Sequence, residues 1–211
     1  MSTETTILIA DDHSLIVQGL KDLLQASFPQ SKVATATDKS ILIKHLQELQ
    51  PTVLLLDIFI GKDNAFDFFD DIKKIAKGTH VIVISSNEDS STIAHFLNRG
   101  AKGFIGKSED TSLIPIAVKA VIEGNTFLSP ALEKRLSEGE ASTAHTNEIH
   151  LTRREKEVLT ELLKEKSNKE IAEALFIAEK TVEHHKANLY VKFDVKNASG
   201  LVKKALILGY Y

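Results

Sequence analysis

The chain has 211 residues, 26 Lys and Arg against 29 Asp and Glu, a formal net charge of −3 and 43% hydrophobic side chains. That length and aliphatic content suffice for one large core or two small ones, and exclude disorder over most of the chain. Cysteine is absent, which excludes a disulfide framework, a thiolate zinc site and a thiol nucleophile.

The first residues, Met1 to Thr6, are polar, and the apolar run Ile7 to Ala10 stops at two aspartates. That pattern is neither a secretion signal nor a membrane span, so a soluble cytoplasmic protein with no membrane partner is expected. Short β-rich runs then recur at Ile7–Ala10, Lys32–Thr35, Val53–Leu56, Val81–Ile84 and Gly103–Ile105. Between them Ile16, Leu20, Leu23 and Leu24, then Leu42, Leu46 and Leu49, repeat with the spacing of one buried helical face. Leu113, Ile116, Ala117, Ala120 and Val121 make a further helical pattern. Strands without polar alternation, separated by helices, predict right-handed βαβ units: a five-stranded parallel, doubly wound α/β sheet over residues 1–125.

In such a sheet ligands bind beyond the carboxyl ends of the strands, where loops and helix N-termini converge. Asp11 and Asp12 follow the first strand, Asp57 ends the third, Ser85 ends the fourth and Lys107 lies just past the fifth. Three neighbouring carboxylates repel one another unless a cation lies between them, and hard oxygen ligands suit Mg²⁺. A carboxylate in that setting can attack a phosphoryl group while a cation, an ammonium and a hydroxyl neutralise its oxygens, the roles expected of Asp57, Lys107 and Ser85. Any one of these residues alone would more simply be a turn or a helix cap. Their joint placement at strand ends carries the argument.

With these residues in place, positions 5–122 resemble the receiver domain of two-component response regulators, a flavodoxin-like fold. The resemblance implies that Asp11, Asp12 and Asp57 hold Mg²⁺ together with the backbone carbonyl of Phe59, that a histidine kinase phosphorylates Asp57, and that Phe104 is a switch aromatic. The reading of Phe104 as ordinary core stands beside the last of these. The chain departs from the family after the acceptor, with Ile60-Gly61 and then Ala65 where Met-Pro and a later glycine are common. An aspartyl-phosphate phosphatase would want a second acid two residues after the nucleophile, where this chain has Phe59. A phosphoacceptor switch with at most slow self-dephosphorylation is therefore expected, not an enzyme.

From Gly124 to His150 the periodicity fades into Ser, Thr, Glu and Gly, apart from a short helical stretch at Pro130–Leu136, and residues 126–147 read as a linker. Three or four helical patterns follow with no strand, at Glu155–Leu163, Lys169–Leu175, Thr181–Phe193 and Ala198–Leu208, with Thr152 and Ser167 as caps. This end is modestly basic, whereas the first half is acidic.

The run Leu151-Thr152, Arg154-Glu155, Val158-Leu159, Asn168 to Ala172, Lys180 to Val182, His185 and Lys192-Phe193 resembles the LuxR/FixJ (NarL)-type helix-turn-helix output domain. A small all-α unit over 148–211 that binds double-stranded DNA through a helix-turn-helix at about Asn168 to Ala187 is implied, along with dimers upon phosphorylation. Val182 and Leu189 share one face of the second helix, which should pack inward with His185. Lys180, His184 and Ala187 lie opposite, with Thr181, Glu183 and Lys186 around them, and should approach bases and phosphates; Lys192 and Lys196 are expected at phosphates.

Overall fold

The computed structural model describes residues 5–61, 63–86, 88, 90–134, 149 and 151–210. The chain forms two compact units, Met1–Ser142 and Thr143–Tyr211.

In the first unit, β1 (Thr6–Ala10), β2 (Lys32–Ala36), β3 (Val53–Asp57), β6 (His80–Ser85), β7 (Gly103–Gly106) and β8 (Phe127–Leu128) form a sheet. The order is β2-β1-β3-β6-β7-β8 with every pairing parallel. Helices α1 (Ser14–Ser27), α2 (Lys39–Leu49), α3 (Ala65–Ile75), α4 (Ser90–Asn98) and α5 (Leu113–Ile122) connect the strands. The period-two alternation of strand side chains divides the interior in two. Leu8, Ala10, Leu54, Leu56, Val81, Val83 and Phe104 face one core with residues of α2, α3 and α4. Ile7, Ile9, Val53, Leu55, Ile82, Ile84 and Ile105 face the other with Val17, Leu20 and Leu24 of α1 and Ile114, Ala117, Val118 and Val121 of α5. Both faces are thus covered, which explains why these strands read as unbroken apolar runs.

The unusual loop after β3 folds into a hairpin, β4 (Phe59–Ile60) against β5 (Asp63–Asn64). Gly61 takes φ +61 at its turn, a left-handed conformation that suits glycine. Asn64 then caps α3 by accepting the Phe66 amide.

The segment 126–147, expected to be linker, begins differently. Phe127 and Leu128 pair with Gly103 and Phe104 as a sixth strand, Phe127 packing on one core and Leu128 on the other. Two residues are too few for period-two patterning to announce a strand. A helical segment, α6 (130–134 among the described residues), buries Leu132 fully. The rest of the expected linker lies outside the described residues.

The second unit is a bundle of α7 (Arg153–Leu163), α8 (Asn168–Leu175), α9 (Glu179–Lys192) and α10 (Ala198–Ile207). Thr152 with Glu155, and Ser167 with Glu170, make reciprocal capping boxes at the first two, and Asn197 caps the last through the Gly200 amide. Val158, Leu159, Leu162, Ile171, Val182, Leu189, Phe193 and Leu201 form its core. No described helix is long and apolar enough to cross a membrane.

Candidate functional site

The sheet's order reverses at β1, which has β2 on one side and β3 on the other, so a crevice opens past the carboxyl ends of β1 and β3. Asp11 and Asp57 stand there, 3% and 6% exposed. Lys107 reaches in from beyond β7, its Nζ donating to Asp11 Oδ2 at 2.7 Å and to Asp57 Oδ2 at 2.6 Å. Its own amide donates to the Ser85 carbonyl at 2.8 Å, fastening the lysine loop to the end of β6. Ser85 is buried beside Ile84, the register partner of Asp57. Asp11, Asp12, Asp57 and Lys107 therefore meet at one place, with Ser85, whose carbonyl holds the lysine loop, at the end of the neighbouring strand.

His13 joins them, and the sequence did not single it out. Its amide donates to Asp11 Oδ1 at 2.8 Å, and its Nδ1 lies 2.8 Å from Asp11 Oδ1 and 3.1 Å from Asp12 Oδ1. The signal was its place two residues after an aspartate, the spacing at which a side-chain oxygen captures a backbone N–H. Ligand atoms of Asp11, Asp12, His13 and Asp57 all lie within 4.8 Å of one another.

Burial pushes the Asp57 carboxyl up from 3.8 to about 6; Lys107 opposes the rise, Asp11 adds to it, and a hydrogen bond from the Phe59 amide lowers it. Burial would lower the Lys107 ammonium, yet its bonds and charges with Asp57 and Asp11 override that and raise it. Acid and lysine thus respond oppositely to one cavity: desolvation dominates the acid, pairing dominates the base. Two carboxylates at such separations repel by on the order of 3 kcal/mol at an effective dielectric constant of about 20. One ammonium does not cancel three acids. The donor set, hard oxygens short of positive charge, fits a divalent cation such as Mg²⁺.

A titration follows for protein held metal-free by a chelator. The folded carboxyl keeps a proton at pH values where the unfolded chain has lost it, so its contribution to stability is full below about pH 4 and is lost as pH rises through about 6. Denaturant unfolding should show wild type losing stability relative to Asp57→Asn across that window. A constant difference between the two would contradict it.

Phe104, read as a switch or as core, is fully buried in the cluster that holds Ile93, Phe96 and Leu132.

In the second unit α8 ends at Phe176, which adopts the left-handed conformation with φ 52, and α9 starts three residues later: a helix-turn-helix. Lys180 is exposed at the start of α9, while Thr181, His184 and His185 are half-buried. Val182 and Leu189 face inward as their spacing required. Glu183 and Lys186 reach back to α8: Asn168 Nδ2 donates to Glu183 Oε1 at 3.4 Å, and Lys186 Nζ donates to Asn168 Oδ1 at 2.7 Å. Burial lowers the Lys186 ammonium, with Glu183 opposing.

Two expected DNA contacts are corrected. Ala187 is 1% exposed and cannot face a groove. The α9 helix packs against α7, α8 and α10, so its covered arc is wider than one apolar stripe suggests. Lys192 is no phosphate ligand either: its Nζ donates to Glu155 Oε2 at 2.7 Å, and the two side chains are only 12% and 1% exposed. Lys196, at the rim beyond α9, is exposed.

Comparisons with known proteins agree with both halves. Residues 7–119 match the response regulator receiver domain, and residues 150–205 match the bacterial regulatory proteins of the luxR family. The chain is 30% identical to the oxygen regulatory protein NreC of Staphylococcus haemolyticus, over 95% of this chain and 96% of that one. It is 31% identical to the transcriptional regulatory protein DegU of Brevibacillus brevis, over 97% and 94%. Its fold is similar to RcsB of Salmonella enterica serovar Typhimurium, solved bound to a promoter with phosphomimetic BeF3⁻, with a TM-score of 0.63, 23% identity, and 96% and 98% coverage.

Proposed function

Because the chain belongs to the two-component response regulators that carry a LuxR-type DNA-binding domain, we propose that a phosphoryl group passed from a histidine kinase to Asp57 sets the affinity of its second unit for double-stranded DNA. A response regulator of this kind is a transcription regulator, not a classical enzyme. The observation that carries the proposal is Lys107 Nζ bridging Asp11 and Asp57 in a buried pocket.

The Asp57 carboxylate attacks phosphorus, the bond from phosphorus to the donor's imidazole nitrogen breaks, and the imidazole leaves. Lys107 shifts from carboxylate to phosphoryl oxygen, and the Ser85 hydroxyl donates to another. Asp11, Asp12, Asp57 and the Phe59 carbonyl would hold Mg²⁺, which when bound offsets carboxylate repulsion and neutralises the phosphoryl oxygens. Water later attacks the same phosphorus and resets the switch slowly. Phe104 is the aromatic that repacks between the two states. Residues 1–125 with β8 and α6 do the sensing, the chain beyond α6 links, and residues 148–211 read DNA, as a homodimer when phosphorylated and in the cytoplasm.

On the DNA side, the first turns of α9 enter the major groove, with Lys180, Thr181 and His184 leading and Glu183 and Lys186 behind them. Lys180→Ala should weaken binding and make the slope of log affinity against log salt shallower by about one unit, because one phosphate contact releases its counterion. Fluorescence titration at several salt concentrations checks it, and an unchanged slope would remove Lys180 from the phosphate contacts. The phosphoacceptor reading is tested by incubating the protein with Mg²⁺ and a small phosphodonor and mapping any added phosphoryl group by mass. Uptake at Asp57 supports it, while no uptake, or uptake elsewhere, overturns it.

A further inference from the structure

The loop that carries Lys107 is tied to the chain leaving the sheet. Gly106, the last residue of β7, donates its amide to Glu109 Oε2 at 3.1 Å. The other oxygen, Oε1, accepts the hydroxyl of Ser129 in a short hydrogen bond. Ser129 is 1% exposed and sits between β8 and α6. Its Oγ accepts the Leu132 amide at 3.3 Å and its carbonyl accepts the Glu133 amide at 2.9 Å, so the residue that grips Glu109 also caps α6. A second attachment lies deeper: Leu128 is the register partner of Phe104, and Leu132 is buried in the same cluster as Phe104.

One carboxylate therefore joins three things. It steadies the end of β7 next to Lys107, it closes the loop in which the Glu109 amide donates to the Gly106 carbonyl at 3.1 Å, and it holds the N-terminus of α6. The carboxylate's two acceptors are matched by two donors from different elements, an arrangement that rigidifies when complete and loosens as a unit when one donor moves. Lys107 is divided between Asp11 and Asp57, and a phosphoryl group on Asp57 would draw it toward new oxygens, moving the loop that begins one residue earlier.

We propose that Glu109 is a positioning residue that couples the Lys107 loop to Ser129, so that filling the pocket loosens the cap of α6 and is felt in the chain leading to the DNA-binding unit. This rests on the reading of Asp57 as phosphoacceptor. Full-length protein is compared with and without Mg²⁺ and acetyl phosphate, following both the mass of the chain and hydrogen exchange at the Leu132 and Glu133 amides.

In wild type, phosphorylation should speed that exchange about tenfold, as expected when a buried charge-assisted bond is given up. Glu109→Ala should take up the phosphoryl group, exchange fast in both states and show no further response, with its gain in DNA affinity on phosphorylation reduced roughly threefold to tenfold. Ser129→Ala should behave alike from the other end. Glu109→Gln can accept from Gly106 and donate to Ser129 Oγ, so it should restore the wild-type response, which a merely space-filling role would not require. If wild type takes up no phosphoryl group, the functional reading fails and this coupling with it. If it does, and Glu109→Ala and Ser129→Ala respond as wild type, the coupling alone is overturned.

Discussion

Replacing Asp57 with asparagine is expected to abolish the mass gain of one phosphoryl group that wild type should show with Mg²⁺ and a small phosphodonor. The substitution keeps size and one acceptor oxygen but removes the anionic oxygen proposed to attack phosphorus. No neighbour can take over. Asp11 is pinned by Lys107 and by the His13 amide and ring, and Asp12 faces the His13 ring at 3.1 Å. The same substitution removes one of the acids that repel one another across the pocket, so the variant should fold at least as well as wild type and its failure could not be ascribed to unfolding. Uptake by Asp57→Asn at the wild-type rate would place the acceptor elsewhere.

The largest effect on stability is expected in the second unit. Glu155→Ala should cost about 3–5 kcal/mol, because it breaks a buried ion pair with Lys192, only 12% of whose side chain reaches solvent. Glu155 also accepts the Thr152 amide at 2.8 Å and so closes the capping box of α7; losing that cap adds to the loss. A domain of this size has only about 5–10 kcal/mol in reserve, so the unit should unfold readily near physiological temperature and DNA binding should fall with it. Replacing Glu155 and Lys192 together by methionine should recover much of the stability, since a buried pair contributes little over good apolar packing. Denaturant unfolding of the full chain, following the helical signal, measures this, and a loss under about 1 kcal/mol would mean that water reaches Lys192 more freely than the packing indicates.

The architecture was legible because strands covered on both faces spell themselves as unbroken apolar runs, and helices covered on one face spell themselves at i, i+4 and i+7. Once the five strands were placed, their ends placed Asp11, Asp57, Ser85 and Lys107. What the sequence withheld depends on length or on distance along the chain. The strand Phe127–Leu128 is too short to show a period. The bond between Glu109 and Ser129 joins residues 20 apart, and that between Lys192 and Glu155 joins residues 37 apart, so neither leaves a local pattern. Nothing in the sequence marked Glu155 for burial, because acids at the third position of a helix are usually exposed. Ala187 was misplaced because a helix packed on by three others hides residues well outside its main apolar stripe.

The departures from the family also find a physical reason after β3. Gly61 makes the tight turn of the β4–β5 hairpin, and the Ala65 amide donates to the Ile58 carbonyl at 2.7 Å, closing the hairpin directly onto the start of α3. The loop next to Asp57 is therefore anchored by backbone bonds at both ends.

Asp57 matters to the second unit only if the two are energetically linked, and one titration decides it. Labelled double-stranded DNA is titrated with full-length wild type and Asp57→Asn, each with and without Mg²⁺ and phosphodonor, at fixed salt. The account predicts a change in wild-type affinity of roughly fivefold or more, the usual scale of coupling between two sites, and none in Asp57→Asn. Wild-type protein that carries the phosphoryl group on Asp57 yet binds DNA as the unmodified chain does would contradict it.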